Sequence, residues 1–397
     1  MAHATEKSFK VSVPDSELEL LRKKLDLVRF PDELDGSGWN YGAPLADVRR
    51  LVARWKDGYD WRTAEAKINE LPQFTRDVDV DEFGTLNIHY VHVKSDAKDA
   101  IPLLFIHGWP GHFMEVSKML PLLTSSSGDH PSFHVVACSL PNFGFSDAAK
   151  QTGFKIEKYA ETLHKVMLAL GYNEYAVQGG DWGYCVARSM AYAYGPKHVK
   201  AWHTNSPVSG PPTLYDSPLL YLKFMTTPFT AAETESFKRH QAKSYNTGGY
   251  MEIHRTKPQT IGYSLADSPV GLLAWIYEKL VAWTDKYPWD DDEVLTWVSI
   301  YWFSRAGPTA SGRIYYEFLS RMAESTPPWS PVPLGLSYFP EEVAPYAPKL
   351  WMRTVGDVVF EAEHNAGGHF AAYEQPEALA DDLRAMFSKP ALAKLFK

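Results

Sequence analysis

The sequence is poor in cysteine, has no excess of positive charge and contains no long apolar segment. Its two cysteines, Cys138 and Cys185, both lie in apolar runs and belong to no CxxC or His/Cys cluster. We therefore expect buried thiols in a reducing compartment, and no metal site. The formal net charge of -8 argues against nucleic acid or an anionic membrane surface as a general partner.

Membrane signals are also lacking. No run of about 18 apolar residues suggests a spanning helix, and the N-terminal segment has no apolar core of a signal peptide. We expect a soluble, cytoplasmic protein without a membrane anchor. The 397 residues, 45% hydrophobic and 22% charged, are typical of one large globular domain or two smaller ones.

One stretch predicts a strand, a sharp turn and a helix in direct succession. Tyr175–Val177 is an apolar run, residues 179–183 (GGDWG) form the turn, and apolar residues then recur at helical spacing as far as Tyr194. This is the layout of the nucleophile elbow of α/β-hydrolases, with Asp181 in the position of the nucleophile. Taken alone, the short pattern is equally compatible with Asp181 as a helix N-cap.

Apolar strands alternate with helices on both sides of this turn. A hairpin is predicted over Thr75–Val93, and further strands over Ile101–Ile106, Phe133–Leu140, Val199–Thr204 and Val332–Phe339. The strands from Ile101 onward are apolar on both faces, which favours a mostly parallel sheet covered by helices. The predicted fold class is α/β: an α/β-hydrolase fold with an inserted helical lid and an N-terminal helical arm.

The chain divides into four segments by pattern. Residues 1–75 carry two amphipathic helices and are predicted to form an arm outside the sheet. Residues 76–206 and 330–397 form the two parts of the core, with Leu350–Thr354 predicted to belong to its last strand. Residues 207–329 are helical and aromatic, and we predict a lid above the carboxyl ends of the strands, where ligands bind in such sheets.

Three side chains have the chain order nucleophile, acid, histidine that α/β-hydrolases use. Asp181 comes first, and His369 follows the last predicted strand and two glycines, which favours it as the catalytic base. The acid stays open among Glu341, Glu342 and Asp357, although Asp357 precedes the last strand and would lie at its opposite end. Asp181, the Glu341–Glu342 pair and His369 each follow a predicted strand. The nucleophile, the acid and the base can therefore meet at one edge of the sheet.

An aspartate nucleophile restricts the chemistry. A carboxylate can attack saturated carbon and form an alkyl ester, and it is ionised near neutral pH without help from a histidine. His369 would instead activate the water that hydrolyses this ester. Donors for the resulting oxyanion are expected from the backbone N–H groups of Trp109 and Trp182. The substrate is then an epoxide or an organic halide, and no cofactor is required.

An epoxide oxygen also needs an acid that can donate a proton, whereas a halide needs only N–H donors. Tyrosine suits this task because its pKa near ~10 keeps it protonated at pH 7. Spacing alone selects no pair from the tyrosines of the predicted lid, which include Tyr245, Tyr250, Tyr263, Tyr277, Tyr301, Tyr315 and Tyr316.

Six ordered motifs, from about Phe9 to Phe387, resemble those of the microsomal-type epoxide hydrolases, in the soluble form found in fungi and bacteria. The motifs are FKV at Phe9, HGWPG at His107, QGGDWG at Gln178, DSPVGL at Asp267, FPEE at Phe339 and GGHFAA at Gly367. The resemblance implies an epoxide hydrolase that forms vicinal diols, uses no cofactor and often builds a homodimer. The aromatic lid suggests an apolar or aryl epoxide.

The resemblance also implies roles for single residues. Asp181 matches the nucleophile, His369 the base, and Glu342, the second residue after Phe339-Pro340, the acid. Tyr250 and Tyr315 match the ring-opening pair.

Three alternatives stay open at this point. Tyr316, directly after Tyr315, could be the second tyrosine instead. A haloalkane or haloacid dehalogenase would use the same nucleophile, acid and histidine. From a different class, a ligand-binding receptor could retain the fold with a decayed site.

Overall fold

A nine-stranded sheet organises the part of the chain that this computed structural model describes, residues 6–126, 128–320, 326–344 and 347–396. The strand order is β1-β2-β3-β5-β4-β6-β7-β8-β9. Strands β1, β2, β3 and β5 pair antiparallel, and all pairs from β5 to β9 are parallel. The strands are β1 (Lys7–Phe9), β2 (Gln73–Val80), β3 (Gly84–Val93), β4 (Ile101–Ile106), β5 (Phe133–Cys138), β6 (Tyr175–Gly179), β7 (Val199–Thr204), β8 (Ser330–Tyr338) and β9 (Gly356–Glu363).

Helices cover both faces of this sheet. The described α-helices are α1 (Asp15–Asp26), α2 (Leu45–Asp57), α3 (Trp61–Ile68), α4 (Leu120–Thr124), α5 (Ile156–Ala169), α6 (Trp182–Tyr194), α7 (Pro218–Thr226), α8 (Ala231–Thr247), α9 (Gly249–Thr256), α10 (Pro258–Asp267), α11 (Pro269–Ala282), α12 (Asp291–Trp302), α13 (Arg313–Leu319), α14 (Lys349–Met352), α15 (Ala371–Glu374), α16 (Pro376–Phe387) and α17 (Pro390–Ala393). Short 3₁₀ turns occupy Gly38–Tyr41, Phe113–Val116, Ala310–Gly312 and Lys394–Phe396. Helices α5 and α6 bury their apolar sides in one hydrophobic cluster, and α4 and α16 in a second. The mostly parallel, doubly covered sheet predicted from the sequence is confirmed.

The inserted helices, α7 to α13, lie between β7 and β8, and every described element of this segment is helical. The N-terminal helices pack on them: α1 and α2 contact α11, and α2 and α3 contact α12. Leu51 and Trp55 of α2 are buried at this junction, and Arg54 forms an ion pair with Asp292. The N-terminal arm therefore packs directly against the inserted helices.

Two predictions were wrong. Residues 1–75 are not wholly outside the sheet, because Lys7–Phe9 pairs with β2 as an edge strand and β2 itself begins at Gln73. A three-residue strand is too short to show a period of its own. Leu350–Thr354 is not part of a strand, because Lys349–Met352 forms one helical turn after Pro348. A short apolar run does not distinguish a strand from a helix by pattern.

The turn before α6 holds Asp181 in a conformation that few side chains adopt. Asp181 has φ 52° and ψ −125°, which carries a cost of roughly 1–3 kcal/mol for a residue other than glycine. Two close approaches fix the turn. A Cβ at Gly179 would lie 2.3 Å from the carbonyl oxygen of Gly183, and one at Gly183 would lie 2.1 Å from the carbonyl oxygen of Ile106.

Gly183→Ala tests this close approach. Gly183 lies in the first turn of α6, where helix propensity alone would favour alanine by about 1 kcal/mol. The clash with Ile106 should instead lower the free energy of unfolding by about 1–3 kcal/mol, measured by urea denaturation. Gly210→Ala is the control, because nothing lies within 4 Å of its added Cβ. A Gly183→Ala protein more stable than the parent would contradict the packing described here.

Candidate active site

Asp181 lies at the carboxyl end of β6 with its carboxylate held by backbone donors. The Trp109 N–H donates to Oδ1 at 2.7 Å, and the Trp182 N–H is close enough to lower the pKa of this carboxyl group. The loop after β4 comes so close that a Cβ at Gly108 would lie 2.1 Å from Oδ1. The Asp181 side chain is 24% exposed, so a small molecule can still reach it.

His369 lies between two carboxylates. Its Nδ1 is 2.6 Å from Glu342 Oε1, and its Nε2 is 3.5 Å from Asp181 Oδ2. The imidazole is almost fully buried. Its backbone N–H donates to the carbonyl oxygen of Trp283 at 2.8 Å. This hydrogen bond connects the loop between β9 and α15, which carries His369, to the end of α11. The three groups thus meet at the carboxyl edge of the sheet, as their order in the sequence predicts.

Glu342 is fixed by further donors. Its Oε2 accepts from the Ser206 hydroxyl at 2.7 Å, and its Oε1 accepts from the N–H groups of Val343 and Ala344. The other two candidates for the acid lie elsewhere. Glu341 pairs with Lys243, and Asp357 is the second residue of β9, at the amino end of that strand. The geometry therefore favours Glu342 as the partner of the imidazole.

The charges of this group shift each other's pKa. Burial would lower the pKa of His369, but Glu342 and Asp181 together raise it to about 9. Burial would raise the pKa of Glu342, but His369 and the surrounding donors lower it to about 2. The pKa of Asp181 is raised by burial, against the opposing effect of His369 and the backbone N–H groups. The two carboxylates thus favour the protonated form of His369 in the resting site.

Tyr250 and Tyr315 meet above this carboxylate on the inserted helices. Their ring centroids are 5.7 Å apart, with the planes nearly perpendicular, and the charge of Asp181 contributes to the raised pKa of both phenols, after burial. Each phenol also shifts the pKa of the other. The buried Tyr315 hydroxyl has no hydrogen-bond partner of ordinary geometry among the described residues. Tyr316 is 44% exposed and lies away from this group.

The remaining tyrosines of the predicted lid have other surroundings. Tyr245 and Tyr263 are exposed. Tyr277 donates to Asp47 in the arm at 3.4 Å, and Tyr301 donates to the carbonyl oxygen of Gly111 at 2.7 Å. Only the pair at Tyr250 and Tyr315 combines burial, mutual contact and proximity to Asp181 among these seven.

Sequence patterns did not single out three polar residues of this site. Ser206 contacts both Asp181 and Glu342. Its position just after β7, at the carboxyl edge of the sheet, is the feature of the sequence that could have indicated it. Glu115 is buried four residues after the HGWPG motif, and burial, with the charges of the nearby carboxylates, raises its pKa to about 8. Lys279 lies over the Tyr250 ring. A charged residue in an otherwise apolar helix normally indicates a solvent-exposed position, so the sequence did not point to a buried lysine here.

A large cavity of the described structure lies apart from this site. It has a volume of about 940 Å³ and lies between the arm and the inserted helices, next to Phe30, Tyr41 and Val270. None of its lining residues carries the Asp–His–Glu chemistry, so the hydrogen-bonded geometry identifies the site more securely than cavity size does. Among the described residues, no group of His, Cys, Asp and Glu side chains is arranged to hold a metal ion, and none of the helices has the length and apolar character to cross a bilayer.

Fold and site together define an α/β-hydrolase with an aspartate at the nucleophile elbow. The family pattern for the α/β-hydrolase fold matches residues 101–287, and the pattern for the epoxide hydrolase N terminus matches residues 6–116. The chain belongs to the epoxide hydrolase family and is an epoxide hydrolase. Epoxide hydrolase 1 of Sus scrofa is 34% identical over 95% of this chain and 87% of its own length.

Solved structures agree with this assignment. The epoxide hydrolase of Aspergillus niger superposes with a TM-score of 0.84 at 31% identity, covering 98% of this chain and 97% of that one. The juvenile hormone epoxide hydrolase of Bombyx mori gives a TM-score of 0.88 at 28% identity, covering 99% of this chain and 96% of that one. The dehalogenase considered from the sequence is therefore not favoured.

Glu342→Gln should lower the pKa of His369. The substitution removes the negative charge that contributes most to raising this pKa, so the imidazolium should lose its proton at a lower pH than in the parent. A pH titration of the His369 ring resonances by NMR measures the shift. Glu341→Gln is the matched control, because Glu341 pairs with Lys243 instead. An unchanged titration in Glu342→Gln, or a larger shift in Glu341→Gln, would reject Glu342 as the partner.

Proposed function

We propose that this epoxide hydrolase works through a covalent ester on Asp181, which water activated by His369 and Glu342 then hydrolyses to a vicinal diol. The observation that carries this proposal is the position of Asp181 between two sets of groups. The Trp109 N–H donates to one carboxylate oxygen, and the imidazole lies 3.5 Å from the other. A carboxylate placed in this way can attack carbon and later be attacked by water.

In the first step, Asp181 attacks an epoxide carbon while Tyr250 and Tyr315 bind the epoxide oxygen. The carbon–oxygen bond of the ring breaks, an ester bond forms, and one phenol gives its proton to the departing oxygen. The unpartnered Tyr315 hydroxyl supports this role, because a buried donor without a partner is costly unless a ligand satisfies it. General acid assistance of this kind contributes about 10²–10⁴-fold to a rate.

The second step needs His369 as a neutral base, and ester formation provides it. Esterification removes the charge of Asp181, which is one of the causes that raise the pKa of His369. The imidazolium can then return a proton to the tyrosinate and become neutral. It next takes a proton from water, and the hydroxide attacks the ester carbonyl. The N–H groups of Trp109 and Trp182 stabilise the oxyanion. Collapse breaks the ester bond, and the imidazolium protonates the departing alkoxide, which leaves as the diol. The carboxylic acid left at Asp181 then gives its proton to His369, which restores the starting charges.

The surroundings of Asp181 support an apolar, aryl or terpenoid epoxide as the substrate. Trp109 stacks on Tyr250 with centroids 5.0 Å apart, and Trp182 meets the Tyr315 ring edge to face at 4.7 Å. Such a wall offers apolar surface and few hydrogen bonds beyond those for the oxygen. All steps use protein groups and water, without a cofactor. We further propose a cytoplasmic location, supported by the free thiols, and a homodimer.

Tyr250→Phe combined with Tyr315→Phe tests the ring-opening step. Without a proton donor for the epoxide oxygen, the single-turnover rate of ester formation with an aryl epoxide should fall by about 10²–10⁴-fold, measured by rapid quench and intact-protein mass spectrometry. Tyr316→Phe is the matched control and should keep the parent rate, because Tyr316 lies at the surface. A double variant that still forms the ester at the parent rate would exclude the two tyrosines as the acids.

A further inference from the structure

Lys279 holds a positive charge over the ring of Tyr250. This lysine belongs to α11, and its Nζ lies 4.7 Å from the centroid of the Tyr250 ring and 5.8 Å from that of Trp283. Its side chain is 5% exposed, so little water screens the charge. A cation this close to an aromatic face is attracted to the electrons of the ring.

The counter-ion of Lys279 is its neighbour in the chain. Glu278 forms an ion pair with the ammonium group and is itself 22% exposed. Burial lowers the pKa of Lys279, and Glu278 opposes this. His254, packed against the Tyr250 ring, is neutral, because burial and then Lys279 lower its pKa to about 4. The ring of Tyr250 therefore faces one buried cation whose counter-ion is nearer to solvent.

Packing does not explain a lysine here. Burying an ammonium group is costly even when it is paired, and an apolar side chain of the same length would fill the space without that cost. Lys279 forms no hydrogen bond with the groups of the Asp–His–Glu arrangement among the described contacts. Among the described contacts, its nearest approach to a group of the proposed chemistry is its position over Tyr250.

We propose that Lys279 accelerates ring opening by stabilising Tyr250 while that tyrosine gives its proton to the epoxide oxygen. This inference rests on the role proposed above for Tyr250. The phenol O–H bond of Tyr250 breaks while a new O–H bond forms on the former epoxide oxygen. Negative charge then spreads from the phenol oxygen into the Tyr250 ring. The ammonium above the ring attracts this charge more strongly than it attracts the neutral phenol. The interaction is therefore stronger in the transition state than in the ground state, which is the condition for catalysis.

Lys279 keeps its own proton throughout and does not touch the substrate. Glu278 weakens the effect, since its charge contributes to raising the pKa of Tyr250, but its greater exposure lets water screen it more. The effect should be confined to ester formation, because Tyr250 is again a neutral phenol when water attacks the ester.

A double-mutant cycle between Lys279 and Tyr250 tests this role. The proteins are Lys279→Met, Tyr250→Phe and the combined variant, each mixed in excess with racemic styrene oxide. Rapid quench and intact-protein mass spectrometry give separate rates for ester formation and ester decay. Lys223→Met is the matched control, an exposed lysine on inserted helix α7. Lys279→Gln replaces Lys279→Met if the thermal midpoint shows that the methionine variant does not fold.

Lys279→Met should slow ester formation about tenfold and leave ester decay unchanged. In the Tyr250→Phe background the same substitution should have no further effect, because the phenol through which it acts is gone. Equal slowing in both backgrounds, or slowing of both steps, would show a packing role and overturn the inference while leaving the role of Tyr250 intact. If Tyr250→Phe alone does not slow ester formation, Tyr250 is not the proton donor and the inference is overturned, while the ester on Asp181 that defines the proposed function is unaffected; the proposed function itself fails only if no ester forms in the parent protein.

Discussion

The site depends on one constraint: the backbone of Asp181 is held at φ 52° by close contacts that leave no room for side chains beside it. This turn aims the carboxylate at the loop after β4, so that the Trp109 N–H reaches it, and brings its other oxygen toward His369. A relaxed turn would lose both contacts at once. The glycines at positions 179 and 183 thus help to position the Asp181 carboxylate, although neither carries a functional group.

The imidazole of His369 connects the two steps of the proposed reaction. In the resting site two carboxylates raise its pKa to about 9. This shift favours a protonated imidazole before the reaction, whereas the second proposed step needs a neutral one. In the proposed reaction, formation of the ester would remove one of these charges, and His369 would then become available as a base. The inserted helices carry the two tyrosines of the proposed reaction, and the carbonyl oxygen of Trp283 at the end of α11 accepts from the backbone N–H of His369.

Much of this fold was predictable from local pattern, because parallel strands buried on both faces leave continuous apolar runs. The order of Asp181 and His369 and their positions after strands were equally readable. The edge strand Lys7–Phe9 was not, because it exists only through its pairing with β2. Among the groups of the site, the sequence could not distinguish Tyr315 from Tyr316 by spacing, since only burial separates two neighbours on one helix. It could not reveal Lys279 either, because a lysine normally marks a solvated face.

The most direct test of the account follows oxygen from water in a single turnover. Excess enzyme is mixed with a racemic aryl epoxide in H₂¹⁸O, and the Asp181 peptide and the diol are then analysed by mass spectrometry. An ester intermediate predicts label in Asp181 and an unlabelled diol, because water attacks the carbonyl carbon of the aspartate. A labelled diol with an unlabelled Asp181 would mean that water opens the epoxide directly, and would contradict the covalent mechanism.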